Sequence, residues 1–222
     1  PLLRARGEQH VDLLMLSHRD SDHVGGAAAV MAAIDVAALS SSIEASHPLR
    51  ASSREHRRCE AGQSWQWDGV RFDVLHPQRD DYARAGPKPN TMSCVLAVTD
   101  AQGQRLLLTG DLEAEQEARL VREQPAALKS TLLLVPHHGS KTSSSPAFVD
   151  AVAPQTALVQ AGYRNRFGHP APAVVARWRE HGALPLRTDA CGAWQWTSIE
   201  SAAGRCERDA ARRYWRHNFG PP

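Results

Sequence analysis

Val11-Asp12-Leu13-Leu14-Met15-Leu16-Ser17-His18-Arg19-Asp20-Ser21-Asp22-His23-Val24-Gly25-Gly26 carries more structural information than any other segment of this chain. Val11 to Leu16, apolar apart from Asp12, reads as a buried strand that stops abruptly at Ser17-His18. Four metal-ligand residue types, His18, Asp20, Asp22 and His23, then occupy six positions. A loop that folds back lets alternate residues face one point, while Asp22 and His23 turn toward a neighbouring one. The pattern H-x-D-x-D-H therefore suits two cations a few ångströms apart. Asp22 could instead cap the Ala-rich helix expected from Gly25-Gly26 to about Ala33. Capping does not account for two histidines.

Strand-end clusters of the same kind recur further along. Arg105 to Thr109 reads as a strand that delivers Asp111 just past Gly110. An ionised Asp has lone pairs enough to bridge two cations. Taken alone, Thr109-Gly110-Asp111 reads better as a turn or cap before a helix over 112–123. Thr131 to Val135 reads as another buried strand, and Pro136-His137-His138-Gly139-Ser140-Lys141 follows it. Adjacent histidines are expected to point apart, one toward metal and one toward substrate. Gly139 and Ser140 offer backbone amides and Lys141 a positive charge to a phosphate oxygen. Between these clusters lie a strand over 36–43, a hairpin around Gly69, a Pro-rich loop over 76–90 and a strand over 94–99. Helices are expected over 146–152 and 172–181, a strand over 156–160, and two short strands within 183–200. Strands alternating with helices give an α/β or layered α+β pattern.

Composition narrows the class. Of 222 residues 42% are hydrophobic and 23% charged, which suits a globular chain and excludes collagen-like or largely disordered ones. The net charge of +2 hides a division: residues 1–123 carry 14 basic and 18 acidic side chains, residues 124–222 carry 12 and 6. The longest apolar run, Val24 to Ile34, is too short to cross a bilayer. The four cysteines are too scattered for a disulfide framework and form no C-x-x-C, although Cys191 and Cys206 could pair in an oxidising compartment.

Taken together, the clusters resemble the metallo-β-lactamase superfamily, and within it the C-terminal hydrolase domain of the ComEC competence proteins. That family replaces the second His of H-x-H-x-D-H by Asp, as His18-Arg19-Asp20-Ser21-Asp22-His23 does here. Asn90-Thr91-Met92-Ser93, Leu107 to Glu113, His137 to Ser143, Asn165 to Pro170 and Arg187-Thr188-Asp189 match in order, as does the ending Arg212-Arg213-Tyr214-Trp215. The resemblance implies a four-layered αββα sandwich over 1–203, followed by a basic tail over 204–222. His18 and Asp20 would hold one metal, Asp22 and His23 the other, with Asp111 bridging and His138 as the final ligand. His137 would contact the scissile phosphate, with Lys141 and His169 as further catalytic groups. A plain turn role explains His169 equally well. Asn90, Ser93, Ser140, Arg164 and Arg166 would lie at the substrate. Asn90 and Ser93 stand where many superfamily members place another His ligand.

An oxygen-and-imidazole ligand set without thiolate favours Mn²⁺, then Zn²⁺. The implied activity is metal-dependent cleavage of the non-transported DNA strand during DNA uptake, on single-stranded DNA. The implied setting is the periplasmic side of the inner membrane, beside the parent protein's channel region and other uptake components. Trp194, Trp196, Trp215 and the arginines of 205–216 are further candidates for nucleic-acid contact. Only 17 residues precede His18, so the first sheet is expected to lack its opening strands. A metallohydrolase acting on a small phosphodiester and a non-catalytic DNA-binding remnant are the rival readings.

Overall fold

The computed structural model describes residues 2–84, 86–199 and 204–211. The segment Val11 to Leu16 lies within strand β1 (His10–Leu16), which runs parallel to β2 (Asp35–Ser41). The Ala27–Ala33 helix makes the crossover between them, as parallel neighbours require. β3 (His56–Arg58), unforeseen in a polar stretch, continues the sheet in the order β1-β2-β3. β1 is an edge of this sheet, and Leu13, Leu14 and Met15 are only half-buried.

The second sheet has seven strands. A hairpin of β4 (Ser64–Trp67) and β5 (Val70–His76) turns at Asp68 and Gly69, both at positive φ. β6 (Val95–Thr99) and β7 (Arg105–Leu108) continue antiparallel. β8 (Leu132–Leu134), β9 (Thr156–Val159) and β10 (Leu184–Arg187) then add in parallel through helical crossovers, giving the order β10-β9-β8-β7-β6-β5-β4.

Alternation along the strands builds the layers. On β6, Val95 and Ala97 join the core shared with Leu120, Phe148, Val149, Val174 and Trp178 of the outer helices. Leu96 and Val98 point the other way, into a cluster that includes Met15 of β1. Successive side chains of a strand face opposite sides, so one strand serves both interfaces. A third cluster packs Ala27 beneath Leu16 and Leu39. Helix, three-stranded sheet, seven-stranded sheet and helices make the four layers.

All four cysteines are paired: Cys191 with Cys206, the pairing the sequence allowed, and Cys59 with Cys94, which it did not foresee. Cys59 and Cys94 are 35 residues apart in sequence, and only the packing of β3 beside the start of β6 brings them together. β11 (Trp194–Gln195) pairs with β12 (Arg205–Cys206). Residues 204–211, expected to open a tail, are thereby folded onto the domain. Arg212, Arg213, Trp215 and Arg216 lie outside the described residues.

Candidate metal centre

β1, β7, β8 and β9 open toward one end of the sandwich, and each sends a loop there. Binding sites of α/β sheets form beyond the carboxyl ends of such strands. The Ser17–His23 loop leaves β1 and enters a single turn of helix, Ser21–Val24. Asp111 follows β7 across Gly110, whose φ is +55°. A Cβ at Gly110 would lie 3.0 Å from both Ser17 and Ser93, so glycine lets these three segments meet.

The turn after β8 decides how the two histidines point. His137 and His138 have φ of +49° and +52°, and Gly139 follows at +77°. Left-handed conformations in non-glycine residues cost of order 1–3 kcal/mol each and collect at functional sites. Their effect here is to aim both rings at Asp111. His138 Nε2 lies 3.6 Å from Asp111 Oδ1, and His137 Nε2 lies 3.8 Å from Oδ2. Both rings reach Asp111, yet their centres are 6.5 Å apart at 67°, and only His138 joins the group whose ligand atoms lie within 4.8 Å of one another.

Asp111 is 5% exposed and stands at the centre. Its Oδ1 faces His23 Nε2 at 3.2 Å and His138. Asp22 Oδ2 completes that side, 3.2 Å from His138 Nε2 and 3.8 Å from His23 Nε2. Ligand atoms of Asp22, His23, Asp111 and His138 all lie within 4.8 Å of one another. On the other side His18 Nε2 is 4.0 Å from Asp111 Oδ2 and 3.5 Å from Asp20 Oδ2. The cluster thus divides about the two oxygens of one carboxylate.

Three buried imidazole nitrogens, Nε2 of His18, His23 and His138, have no hydrogen-bond partner. Buried polar atoms are ordinarily satisfied, so three such nitrogens around one carboxylate leave these rings available to a cation. The opposite nitrogens are all engaged. His138 Nδ1 donates to the Gln160 carbonyl at 3.0 Å, which leaves the Nε2 lone pair free. Ser17 Oγ lies 2.8 Å from His23 Nδ1 and 3.1 Å from His18 Nδ1. Burial and the neighbouring His23 push the His18 pKa down to about 4, which keeps this ring neutral and able to ligate. For His23 burial opposes charge, but Asp111 outweighs it and raises the pKa; Asp111 is lowered in return against its own burial. The donor set fits divalent cations, with few enough protein ligands to leave positions for substrate.

The remaining expected residues divide. Ser93 is fully buried: its Oγ accepts from the Asp111 N–H at 2.9 Å and lies 3.3 Å from His18 Nδ1. From there it positions two ligands, and no substrate reaches it. Ser140 is likewise buried, bonded to Thr142. Asn90 donates to Glu113 at 3.3 Å, while its own Oδ1 is buried and unpartnered. Lys141 is exposed on the following turn and makes no hydrogen bond or ion pair among the described residues. His169 does reach the cluster, its ring centre 5.8 Å from that of His137. Burial and the nearby His137 and His138 lower its pKa. Asn165 clamps it, accepting from the His169 N–H at 3.0 Å and donating to its carbonyl at 2.6 Å. Arg164 and Arg166 are exposed on the same loop, over the rings of Tyr163 and Phe167. Trp194 and Trp196 line a separate cavity with Gln102 and Thr156.

Three functional groups escaped the sequence reading. Glu113 Oε1 is 3.6 Å from His137 Nδ1 and, with Thr142 Oγ1 at 3.1 Å, orients that ring. Glu117, fully buried, accepts from the N–H groups of Ser144 and Ser145 at 2.5 and 2.7 Å and anchors the segment after the histidine turn. Ser17 serves two histidines. Glu113 sits beside a quoted motif and was within reach of inspection; Ser17 and Glu117 carry no signal in one sequence.

Residues 1–163 match the family model of the metallo-beta-lactamase superfamily. The chain is 44% identical over 195 residues, 88% of its length, to "Competence protein ComA" of Neisseria gonorrhoeae. It is 34% identical, again over 88% of its length, to "ComE operon protein 3" of Bacillus subtilis. It spans about a quarter of each of these relatives, 26% in both cases. Among solved structures, Igni18, a metallo hydrolase of Ignicoccus hospitalis, shares the fold at a TM-score of 0.52 and 14% identity, covering 80% of this chain and 76% of its own. CmlA, a diiron β-hydroxylase of Streptomyces venezuelae, does so at 0.54 and 12%, covering 81% and 44%. No helix among the described residues is long and apolar enough to cross a membrane. With the αββα layers, the His and Asp ligands at the strand ends and these relatives in view, the chain belongs to the metallo-β-lactamase superfamily and matches the hydrolase-like domain of its ComEC branch.

Proposed function

We propose that this domain is a metal-dependent phosphodiesterase that cleaves DNA, specifically the strand not transported by a ComEC-type uptake protein. The observation that carries the reading is the trio of unpartnered Nε2 atoms around Asp111. His18, Asp20 and Asp111 would hold one divalent ion and Asp22, His23, Asp111 and His138 the other, with Mn²⁺ favoured over Zn²⁺ by the oxygen-rich set. Such ions would neutralise phosphodiester oxygens and supply a reactive water at neutral pH.

The chain's own groups do the rest. His137, held at Nδ1 by Thr142 and Glu113, presents Nε2 beside Asp111, where it can pass a proton to the leaving oxygen. His169 sits one ring away and can bind a phosphate oxygen. Arg164 and Arg166, with Tyr163 and Phe167 beside them, offer cations and stacking faces to a strand leaving the site. Lys141, exposed on the adjoining turn, adds a cation to the same mouth. The two disulfides support an oxidising compartment, consistent with the periplasmic face of the inner membrane.

The test is cleavage of labelled single-stranded DNA with Mn²⁺, Zn²⁺ or chelator, by wild type and Asp111→Ala. Loss of the shared carboxylate should lower the rate about 10³-fold or more, as expected when metal-supported transition-state stabilisation is removed. Bound metal should fall below that of wild type by elemental analysis. Equal rates in the two proteins would refute the assignment.

A further inference from the structure

His18 also lines a cavity of about 360 Å³ that the other residues of the metal centre do not line. Its lining includes the apolar faces of Ile43, Pro89 and Met92. Three arginines, Arg19, Arg50 and Arg58, also line it, and two have carboxylate partners. Arg19 lies 3.5 Å from Glu44, and Arg58 lies 2.6 Å from Glu60. Arg50 is half-buried, and no carboxylate pairs with it among the described residues. Its charge faces His56, whose pKa is lowered by burial and then by Arg50. Arg58 also lies over the Tyr82 ring, its Cζ 4.7 Å from the ring centre, and Tyr82 is tied by its hydroxyl to the Cys59 carbonyl.

A half-buried cation without a partner suits an anion. An apolar wall and a guanidinium plane suit the face of a base. His18 belongs both to this lining and to the cluster around Asp111. We infer that this cavity is a nucleotide subsite that takes the nucleotide next to the scissile phosphate, with Arg50 on the neighbouring phosphate and the base against the Pro89–Met92 wall. The inference rests on the phosphodiesterase reading above. The volume is near the lower end of small-ligand pockets and admits one base but not a base pair, so the occupant is single-stranded.

The cavity is tested by Arg50→Ala and by Ala45→Trp, which narrows it from its exposed rim. Binding of a fluorescent oligothymidylate is followed by anisotropy in chelator, where no chemistry occurs. Removing a charge-assisted hydrogen bond should weaken binding about tenfold. The salt slope should also fall by roughly 0.7, the share of a single phosphate on a single strand. Arg122→Ala, an equal charge change on an exposed helix, should leave binding unchanged. Wild-type affinity in Arg50→Ala would overturn the inference, as would an equal loss for a blunt duplex of the same sequence. Cleavage separates the two readings. Both cavity variants should retain hydrolysis of bis(p-nitrophenyl) phosphate while losing oligonucleotide cleavage. Equal loss on both substrates would make Arg50 a support of the metal site and overturn the subsite. A wild type that cleaves neither refutes the phosphodiesterase reading, and the anisotropy result then decides the cavity by itself.

Discussion

Ser93→Ala isolates the part of the site that holds ligands without touching metal or substrate. Ser93 Oγ accepts from the buried Asp111 N–H at 2.9 Å and stands 3.3 Å from His18 Nδ1. The substitution leaves the Asp111 N–H unsatisfied where no solvent reaches, at a cost of about 1–3 kcal/mol. For a chain of this size each kcal/mol lowers Tm by about 2–4 °C, so the metal-free protein should melt about 2–12 °C lower. His18 keeps Ser17 at 3.1 Å but is less tightly oriented. Loss of such an outer partner typically weakens metal binding about 10–100-fold. The assay is a pair: thermal denaturation in chelator, and titration with Mn²⁺ or Zn²⁺ by calorimetry. Ser140→Ala is the control, because its hydroxyl bonds only to Thr142 and should leave metal affinity within about twofold by the same scale. A serine that contacted substrate would instead raise KM and spare metal affinity. Ser93→Ala with wild-type metal affinity and wild-type Tm would refute the positioning role.

Two other predictions concern the frame of the site. In Gly139→Ala the new Cβ would stand 2.7 Å from Pro170 Cβ at a φ of +77°. The strain of about 1–2 kcal/mol, with displacement of the His169–Pro170 segment, should lower Tm by several degrees and reduce cleavage, and an unchanged Tm would refute the close approach. His76 is buried, bonded through Nδ1 to the Ser93 carbonyl, and its pKa is lowered by burial. The unfolded chain takes up this proton near pH 6.5 and the folded chain only at lower pH. Stability contributed above pH 6.5 is therefore lost as pH falls between the two values, at up to about 1.4 kcal/mol per pH unit. Between pH 7.5 and 5.5 in chelator, His76→Gln should lose less Tm than wild type, and equal losses would exclude His76 as the source.

Much of this was legible because local rules and ligand chemistry coincide. The β1 segment announces itself by apolar residues ending at His18, and Pro146–Val152 begins and ends where its sequence places it. β3 was hidden, since His56–Arg58 is polar and becomes a strand only by pairing with Leu39–Ser41. The Cys59–Cys94 pair was hidden for the same reason, since only sheet packing joins them.

Sequence by itself determined the superfamily, the ligand types and their places at strand ends, because ligand identity and strand-end punctuation are local properties. The resemblance already set His18 and Asp20 apart from Asp22 and His23 about Asp111; tertiary structure alone decided which carboxylate oxygen each ring faces, because that depends on how the four strand-end loops pack. It turned His137 and His138 toward the same centre through left-handed backbone, a conformation residue type does not announce. It also took Ser93 and Ser140 away from the substrate, since burial is set by everything packed around a residue and not by the residue itself.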